Sequence, residues 1–363
     1  MIGLALSGGG SRAIAFHLGC LRALHERGVL QKISVISAVS GGSVIAGMYA
    51  YSDDEFTDFD HRVVSLLRRG LLSSIVRHFL SPSLLPLVLV TNLVSRPASV
   101  LGTLLRRQSP LRRWASRSDA LERALQDVFG NVQLEHVRRP KLDVLFNASE
   151  MCTGTAFRFG NRRSGTWRFG EIVNNNISVA HAVACSAAYP IFLPAFDRKY
   201  SFLKGGTTQT KRVIITDGGV FDNLGTSCLE PGRNDAFSLH IYPADYIICC
   251  HAGHGQFSGE SVPFSFFSRT QSAFNCVFRK AQDSTLQRLH MQKRAGLIKG
   301  FILPYLGQQD EALPLRPPDL VRRNEVVGYP TNFSPMSATD LDRLTRRGEQ
   351  LTRILLAHYC PEI

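Results

Sequence analysis

Three short motifs in this 363-residue chain contain the residue types that acyl-transfer chemistry requires. Gly8-Gly9-Gly10-Ser11-Arg12 is a glycine-rich turn between an apolar strand and a helix, where free backbone N–H groups can bind an anion. Ser40, followed by Gly41-Gly42, lies at a similar strand-to-helix turn that would expose its hydroxyl as a nucleophile. Asp217, followed by Gly218-Gly219, ends an apolar strand and would supply the base that a serine nucleophile needs.

Each motif alone also has an ordinary explanation. The first turn matches G-x-G-x-x-A of dinucleotide-binding folds, but the second strand ends at residues 36–40 without the acidic residue that holds a ribose. Ser40 would serve equally well as a helix N-cap, and Asp217 as the start of a D-G turn. Three such turns, together supplying oxyanion donors, a nucleophile and a base, are far rarer by chance than any one of them.

The alternation of elements predicts how these motifs are positioned. Strand, glycine turn and helix occur twice in the first fifty residues, which indicates a mainly parallel sheet with helices on both faces. Strands are expected at 2–6, 33–37, 142–147, 157–159, 213–216, 245–250 and 297–303, and helices at 13–27, 44–49, 119–129, 177–187 and 337–358. We therefore predict a single-domain three-layer α/β/α sandwich over residues 1–363, in which parallel strands bring Ser40 and Asp217 to the same sheet edge.

The net charge of +13 is concentrated in one segment. Residues 61–117 contain ten Arg, no Lys and no acidic residue, and we call this stretch the basic-apolar segment. Apolar residues recur in it at helical spacing, followed by Arg106, Arg107, Arg112, Arg113 and Trp114. Its longest apolar run is far below the roughly 18 residues that span a bilayer, so it is not expected to cross one.

Apolar faces edged by Arg suit docking on an anionic phospholipid surface. Two alternatives remain: a helical lid packed against the core, and an oligomer contact. Nucleic acid is not the expected partner, because the segment is rich in aliphatic residues and lacks Lys. The oligomeric state cannot be predicted.

The cysteines and histidines suggest no metal or cofactor. The eight Cys form no C-x-x-C pair and are interpreted as buried thiols in a reducing compartment, and the N-terminus lacks the charged region of a signal peptide. His251 and His254 form an H-x-x-H, but no third ligand follows nearby, so loop positions are favoured over a metal site. We expect a cytoplasmic protein that associates with membranes peripherally.

The chain resembles the patatin-like phospholipase family and the related catalytic domain of cytosolic phospholipase A2. Residues 6–13 resemble the family's glycine-rich oxyanion loop with its Arg, residues 39–43 its nucleophile elbow, and residues 217–219 its D-G-[GA] motif. Further similarity lies in residues 147–149, 153–154 and 184–194. The match covers most of the chain except the basic-apolar segment, although Ala13 and Ala38 replace glycines that are common in patatins.

The resemblance implies a patatin-like fold and a serine hydrolase with a Ser–Asp dyad that needs neither His nor metal. Ser40 would be the nucleophile and Asp217 the base, while Gly8, Gly9 and Gly10 would form the oxyanion hole. Arg12 would bind the substrate phosphate, with a structural ion pair as the alternative. The predicted activity is cleavage of fatty-acyl esters of phospholipids or lysophospholipids, and the rivals are a neutral-lipid or small-ester hydrolase with the same dyad and a catalytically silent lipid-binding module.

Overall fold

The computed structural model describes residues 1–105, 112–255, 259 and 262–363. In this part of the chain ten strands form one sheet, in the order β10-β9-β1-β2-β3-β4-β5-β6-β7-β8. The strands are β1 (Ile2–Leu6), β2 (Ile33–Val39), β3 (Asp143–Glu150), β4 (Thr155–Gly160), β5 (Ser164–Thr166), β6 (Gly170–Ile172), β7 (Phe196–Lys204), β8 (Thr207–Asp217), β9 (Tyr246–Cys250) and β10 (Gly300–Ile302).

Helices cover both faces of this sheet. The helices are α1 (Gly10–Glu26), α2 (Gly41–Ala50), α3 (Phe56–Arg69), α4 (Leu72–Phe79), α5 (Leu85–Leu104), α6 (Arg117–Phe129), α7 (Val179–Ser186), α8 (Gly219–Asp222), α9 (Phe266–Arg294), α10 (Arg323–Val326) and α11 (Ala338–Tyr359). Alternate side chains of β1 belong to two separate cores, because Leu4 and Leu6 pack with α1 and α2 while Ala5 packs with Leu289 of α9. The layers are therefore helix, sheet and helix.

The prediction of a mainly parallel sheet is not confirmed. Strands β10, β9, β1, β2 and β3 are parallel neighbours, whereas every pairing from β3 through β8 is antiparallel. In particular, β8 pairs antiparallel with β3, so the strand that ends at Asp217 runs opposite to the strand that precedes Ser40.

A long hairpin explains this reversal. Strands β7 and β8 are joined by Gly205-Gly206, and both glycines have positive φ (55° and 77°), as a two-residue hairpin turn requires. The first five residues of β8 are polar and all exposed, so the sequence prediction found only the apolar end of β8. Antiparallel strands can be joined by a short hairpin without a crossover helix. Strand β8 follows β7 in this way and therefore pairs with β3 in the opposite direction.

The basic-apolar segment forms the end of α3, all of α4 and α5, and the approach to α6. Arg106 and Arg107 lie outside the described residues, and Trp114 is about half exposed. Helix α5 exposes a row of large apolar side chains: Leu87, Leu89, Val90, Leu93, Val94, Val100, Leu101 and Leu104. Its window Leu85–Gly102 has a mean hydropathy of 1.3 and is long and apolar enough to cross a membrane by length and composition, which the count of uninterrupted apolar residues did not reveal.

Candidate active site

Ser40 lies in a strained turn between β2 and α2. Its backbone has φ 52° and ψ −119°, a region that non-glycine residues rarely adopt. It occupies the N-cap position of α2, but its side chain makes no capping hydrogen bond. The hydroxyl instead lies close enough to the carboxylate of Asp217 to stabilise its charge. The structure thus brings together the two side chains that the sequence analysis paired. Ser40 does occupy the N-cap position, as the alternative supposed, but its side chain does not cap the helix.

Asp217 reaches Ser40 from the carboxyl end of β8, where it pairs with Ala148 of β3. One carboxylate oxygen, Oδ1, accepts a 2.6 Å hydrogen bond from the Gly219 amide, as in a D-G turn. Burial raises the pKa of Asp217 to about 7, although the Gly219 amide and the Ser40 hydroxyl oppose this shift by stabilising the carboxylate. A carboxylate with a pKa near neutrality can accept a proton and release it again.

Ser186, at the end of α7, holds the Ser40 turn in place. Its hydroxyl donates to the Asn147 carbonyl (2.6 Å) and accepts from the Ser40 amide (3.0 Å). Since its single proton goes to Asn147, the Ser43 hydroxyl must be the donor in their 2.8 Å bond. Because the Ser40 amide is engaged in this way, it is not free to bind a substrate oxygen.

The glycine loop leaves two amides unpaired beside this turn. The Gly8 amide donates to the Asn223 carbonyl (3.3 Å) and the Ser11 amide to the Asn332 carbonyl (2.8 Å). Within the described residues, the amides of Gly9 and Gly10 have no acceptor. Of the three glycines assigned to an oxyanion hole, Gly9 and Gly10 therefore have amides that are free to donate, whereas the Gly8 amide is already hydrogen-bonded.

The loop and the nucleophile turn are packed backbone to backbone. A Cβ on Gly41 would lie 2.3 Å from the Gly10 carbonyl oxygen, and one on Gly42 would lie 2.4 Å from the Leu6 carbonyl oxygen. Both distances are far below van der Waals contact, so only glycine allows this approach. The small residues in the two motifs thus place the free amides next to Ser40.

Arg12 is buried at the start of α1 and is held mainly by neutral acceptors. Its Nε donates to the Ala252 carbonyl (2.8 Å), and its Nη1 donates to the Tyr329 carbonyl (2.9 Å) and bonds to His254 Nε2. Among the described residues no carboxylate forms an ion pair with Arg12, so the ion-pair alternative is wrong. Nη2 has no hydrogen bond there and lies 3.3 Å from where a Cβ on Gly9 would be, which directs it towards the glycine loop.

His251 and His254 have separate surroundings. His251 stacks on Tyr305 with ring centroids 4.4 Å apart. His254 Nδ1 donates to the Val327 carbonyl (2.7 Å), so its Nε2 is the acceptor for Arg12. The described residues contain no cluster of three or more His, Cys, Asp or Glu that could hold a metal ion. Six of the eight thiols are buried, while Cys152 and Cys276 are exposed.

Sequence reasoning missed the residues that support the site. Ser186 carried one available signal, since it lies in the small-residue stretch 184–188 that was noted as similar to the family. The Asn223 and Asn332 carbonyls lie far along the chain from the loop they bind, and no local pattern marks them. Tyr189, whose pKa is raised by burial and by the nearby Asp217 charge, contacts Phe274 of α9 and so connects that helix to the site.

A family model identifies the family of this chain. The model of the patatin-like phospholipase family matches residues 4–227, more than half of the chain. Two curated relatives match over short stretches: a patatin-like phospholipase domain-containing protein of Caenorhabditis elegans (46% identical over 54 residues) and lysophospholipase NTE1 of Mycosarcoma maydis (45% over 58 residues). These stretches are 15% and 16% of this chain but only 4% and 3% of those proteins.

Among solved structures, human GIVD cytosolic phospholipase A2 has a similar fold, with a TM-score of 0.55 and 14% sequence identity. The alignment covers 98% of this chain and 58% of the human chain. The same enzyme in complex with methyl gamma-linolenyl fluorophosphonate gives a TM-score of 0.53. At this identity the likeness concerns the fold alone.

Proposed function

The chain belongs to the patatin-like phospholipase family, which implies a hydrolase of lipid acyl esters, and we propose that it cleaves phospholipids or lysophospholipids through Ser40 and Asp217. The observation that carries this proposal is the closeness of the Ser40 hydroxyl to the Asp217 carboxylate, whose charge it stabilises, at a turn whose strained backbone presents the serine. Its further support is the pair of unpaired amides at Gly9 and Gly10.

In the proposed acylation step, Ser40 Oγ attacks the ester carbonyl carbon and its proton passes to Asp217. The amides of Gly9 and Gly10 donate to the oxyanion of the tetrahedral intermediate. The loss of one such donor typically costs about 3 to 4 kcal/mol of transition-state stabilisation. When the C–O bond of the ester breaks, the leaving alkoxide takes the proton from Asp217 and the acyl group remains on Ser40.

Deacylation uses the same groups in reverse. Water attacks the acyl carbon and gives its proton to Asp217, and the Ser40 oxygen then leaves and recovers that proton. Asp217 must be ionised at the start of each half-reaction and protonated in the middle. A pKa of about 7 suits both demands near neutral pH.

Arg12 is proposed to serve the substrate phosphate as well as the fold. Three of its bonds go to Ala252, Tyr329 and His254, which accounts for its structural role. Its Nη2, on the side of Gly9, is the group that remains to meet a phosphate oxygen. No step of this scheme requires a metal ion or a cofactor.

The basic-apolar segment is proposed to bring the enzyme to an anionic phospholipid surface. Exposed leucines and valines of α5 would enter the interface, while arginines of the segment pair with lipid phosphates. On this proposal the protein is a peripheral enzyme on the cytoplasmic side of a membrane. The lid and the oligomer contact remain the competing roles for the segment.

The test compares fatty-acid release from phosphatidylglycerol and phosphatidylcholine vesicles by wild type, Ser40→Ala and Asp217→Asn. We expect both variants to lose at least a thousandfold in rate while binding vesicles normally. Retained turnover in Ser40→Ala would overturn the nucleophile assignment. Labelling of wild type but not Ser40→Ala by a fluorophosphonate probe separates an enzyme from a silent lipid-binding module, and equal activity on a triacylglycerol emulsion would favour the neutral-lipid alternative.

A further inference from the structure

A cavity lies near α8, beside β4, β5 and the loop that follows residue 230. It encloses about 30 Å³ and is partly open to solvent. Its lining includes Arg158, Trp167, Phe221, Arg233, Phe237 and His240. Two arginines and three aromatic rings in one cavity, with no carboxylate among its lining residues, form a surface suited to an anion.

Arg158 is the most informative of these residues because it is a buried cation without a counter-ion. Only 5% of its surface is exposed. Its Nε donates to Asn147 Oδ1 (3.0 Å) and its Nη2 to Ser227 Oγ (2.7 Å), and both acceptors are neutral. Within the described residues no Asp or Glu oxygen lies within 4.0 Å of it, and Nη1 has no hydrogen bond. Burial of an unpaired charge raises the free energy of the folded protein, so an anion that enters this cavity would lower it by pairing with Arg158.

Two further side chains of the same cavity have polar groups without a hydrogen-bond partner. Arg233 is half-buried and makes no ion pair or hydrogen bond within the described residues. His240 is buried and its Nε2 donates to the Arg163 carbonyl (2.9 Å), so Nδ1 must be an acceptor. That Nδ1 has no donor to satisfy it. Two unpaired cations and one unpaired acceptor match a group that carries negative charge and one O–H.

We propose that this cavity binds a phosphate group of a phosphomonoester or of inorganic phosphate, held between Arg158 and Arg233. A hydrogen phosphate offers oxygens to both guanidinium groups and an O–H to His240 Nδ1. Trp167 and Phe237, whose rings meet edge to face at 5.4 Å, provide the apolar wall for whatever the phosphate carries. The source is either a small soluble phosphate or the headgroup of a phosphatidic-acid-like lipid.

The cavity is linked to the catalytic turn by a short series of hydrogen bonds. Arg158 holds the side chain of Asn147, the Asn147 carbonyl accepts from Ser186, and Ser186 accepts from the Ser40 amide. Phe221, on the cavity wall, lies four residues after Asp217. A phosphate bound to Arg158 is therefore connected to the Ser40 turn through Asn147 and Ser186, although binding itself does not depend on catalysis.

The test uses Trp167 as its own reporter. The chain has two tryptophans, so Trp114→Phe leaves Trp167 as the sole indole, and Ser40→Ala in the same protein removes turnover. We expect its emission to change saturably with inorganic phosphate and with glycerol 3-phosphate, at constant ionic strength. Arg233→Gln is expected to weaken the apparent affinity at least tenfold, whereas Arg27→Gln, an exposed arginine on α1's far end, leaves it unchanged.

Vesicle titrations separate the two sources. A response to vesicles of phosphatidylcholine with phosphatidic acid, absent with phosphatidylcholine alone and lost in Arg233→Gln, assigns the site to a lipid headgroup. Saturation by glycerol 3-phosphate without such a vesicle response assigns it to a soluble ligand. Three results would overturn the proposal. They are an equal response in Arg233→Gln and Arg27→Gln, a response that sodium chloride reproduces, and no response to either source. Arg158→Lys, with its melting temperature monitored, checks that the buried cation contributes beyond its structural bonds.

Discussion

The Ser40 hydroxyl and the Asp217 carboxylate interact although the strands that lead to them run in opposite directions. Both strands pair with the same edge of β3, because β4 occupies its other edge: β2 is parallel to β3 and β8 is antiparallel to it. Val39 pairs with Asn147 and Asp217 with Ala148, so the two strand ends arrive at adjacent positions of β3. The position at which the two strand ends meet is set by the register of each strand on β3, and not by a shared strand direction.

The raised pKa of Asp217 predicts the pH dependence of the reaction. Only the ionised carboxylate can accept the Ser40 proton, so activity is present above the pKa and is lost as pH falls through it. We expect kcat/KM for a soluble p-nitrophenyl ester to rise about tenfold per pH unit below a midpoint of about 7 and to level off above it. A profile that is flat between pH 5 and pH 9 would remove Asp217 from the role of base.

The same shift predicts that Asp217 lowers stability when it is ionised. Its folded-state pKa lies above the usual carboxyl value, so its contribution to the free energy of unfolding is largest at acid pH and falls as pH rises towards about 7. Asp217→Asn is therefore expected to raise the melting temperature by several degrees at pH 8 and by less at pH 5. Asp235→Asn, at an exposed position, serves as the control and should change neither value. A lower melting temperature of Asp217→Asn at pH 8 would contradict this account of the pKa.

The role proposed for the glycine loop predicts a loss of rate without a matching loss of stability. Gly9 has φ 150°, so Gly9→Ala strains the backbone and moves an amide that is expected to hold the oxyanion. We expect kcat to fall about a hundredfold to a thousandfold. Gly28→Ala is the matched control, because Gly28 also has positive φ (67°) and a Cβ there meets nothing within 4 Å.

Gly28→Ala should lose about 1 to 2 kcal/mol of stability from backbone strain. Gly9→Ala should lose more, because its Cβ would also lie 3.1 Å from the Ala13 Cβ, but only Gly9→Ala should lose activity. Chemical denaturation and steady-state kinetics on the same preparations measure the two effects separately. Equal activities of the two variants would mean that the Gly9 amide does not act on the transition state.

The exposed face of α5 predicts a membrane-binding defect that spares the chemistry. Leu93 is 78% exposed, and Leu93→Ser is expected to weaken binding to phosphatidylglycerol vesicles about tenfold, since one leucine side chain no longer enters the interface. Leu315→Ser, at a 65% exposed leucine outside the segment, should bind normally. Sedimentation with vesicles measures binding, and hydrolysis of a soluble ester should be unchanged in both. Equal binding by both variants would favour the lid or oligomer role for this segment.

Much of the fold follows from local pattern. The apolar strands β1, β2 and β9 and the Ser337 N-cap of α11 lie close to where the sequence places them, because buried strands and capped amphipathic helices have strong local signals. The exposed β7–β8 hairpin has no such signal, and β5 and β6 have three residues each, too few for a recognisable period. The direction of β8 therefore could not be predicted.

The sequence by itself determined the candidate nucleophile, the candidate base and the glycine turns, because each depends on residue types within a few positions and on local backbone preference. Only the tertiary structure decided which loop amides remain free, that Arg12 is held by carbonyls and a histidine, and that Arg158 is buried without a counter-ion. These properties depend on partners that lie up to several hundred residues away along the chain. Packing selects such partners in three dimensions, and no local spacing encodes them.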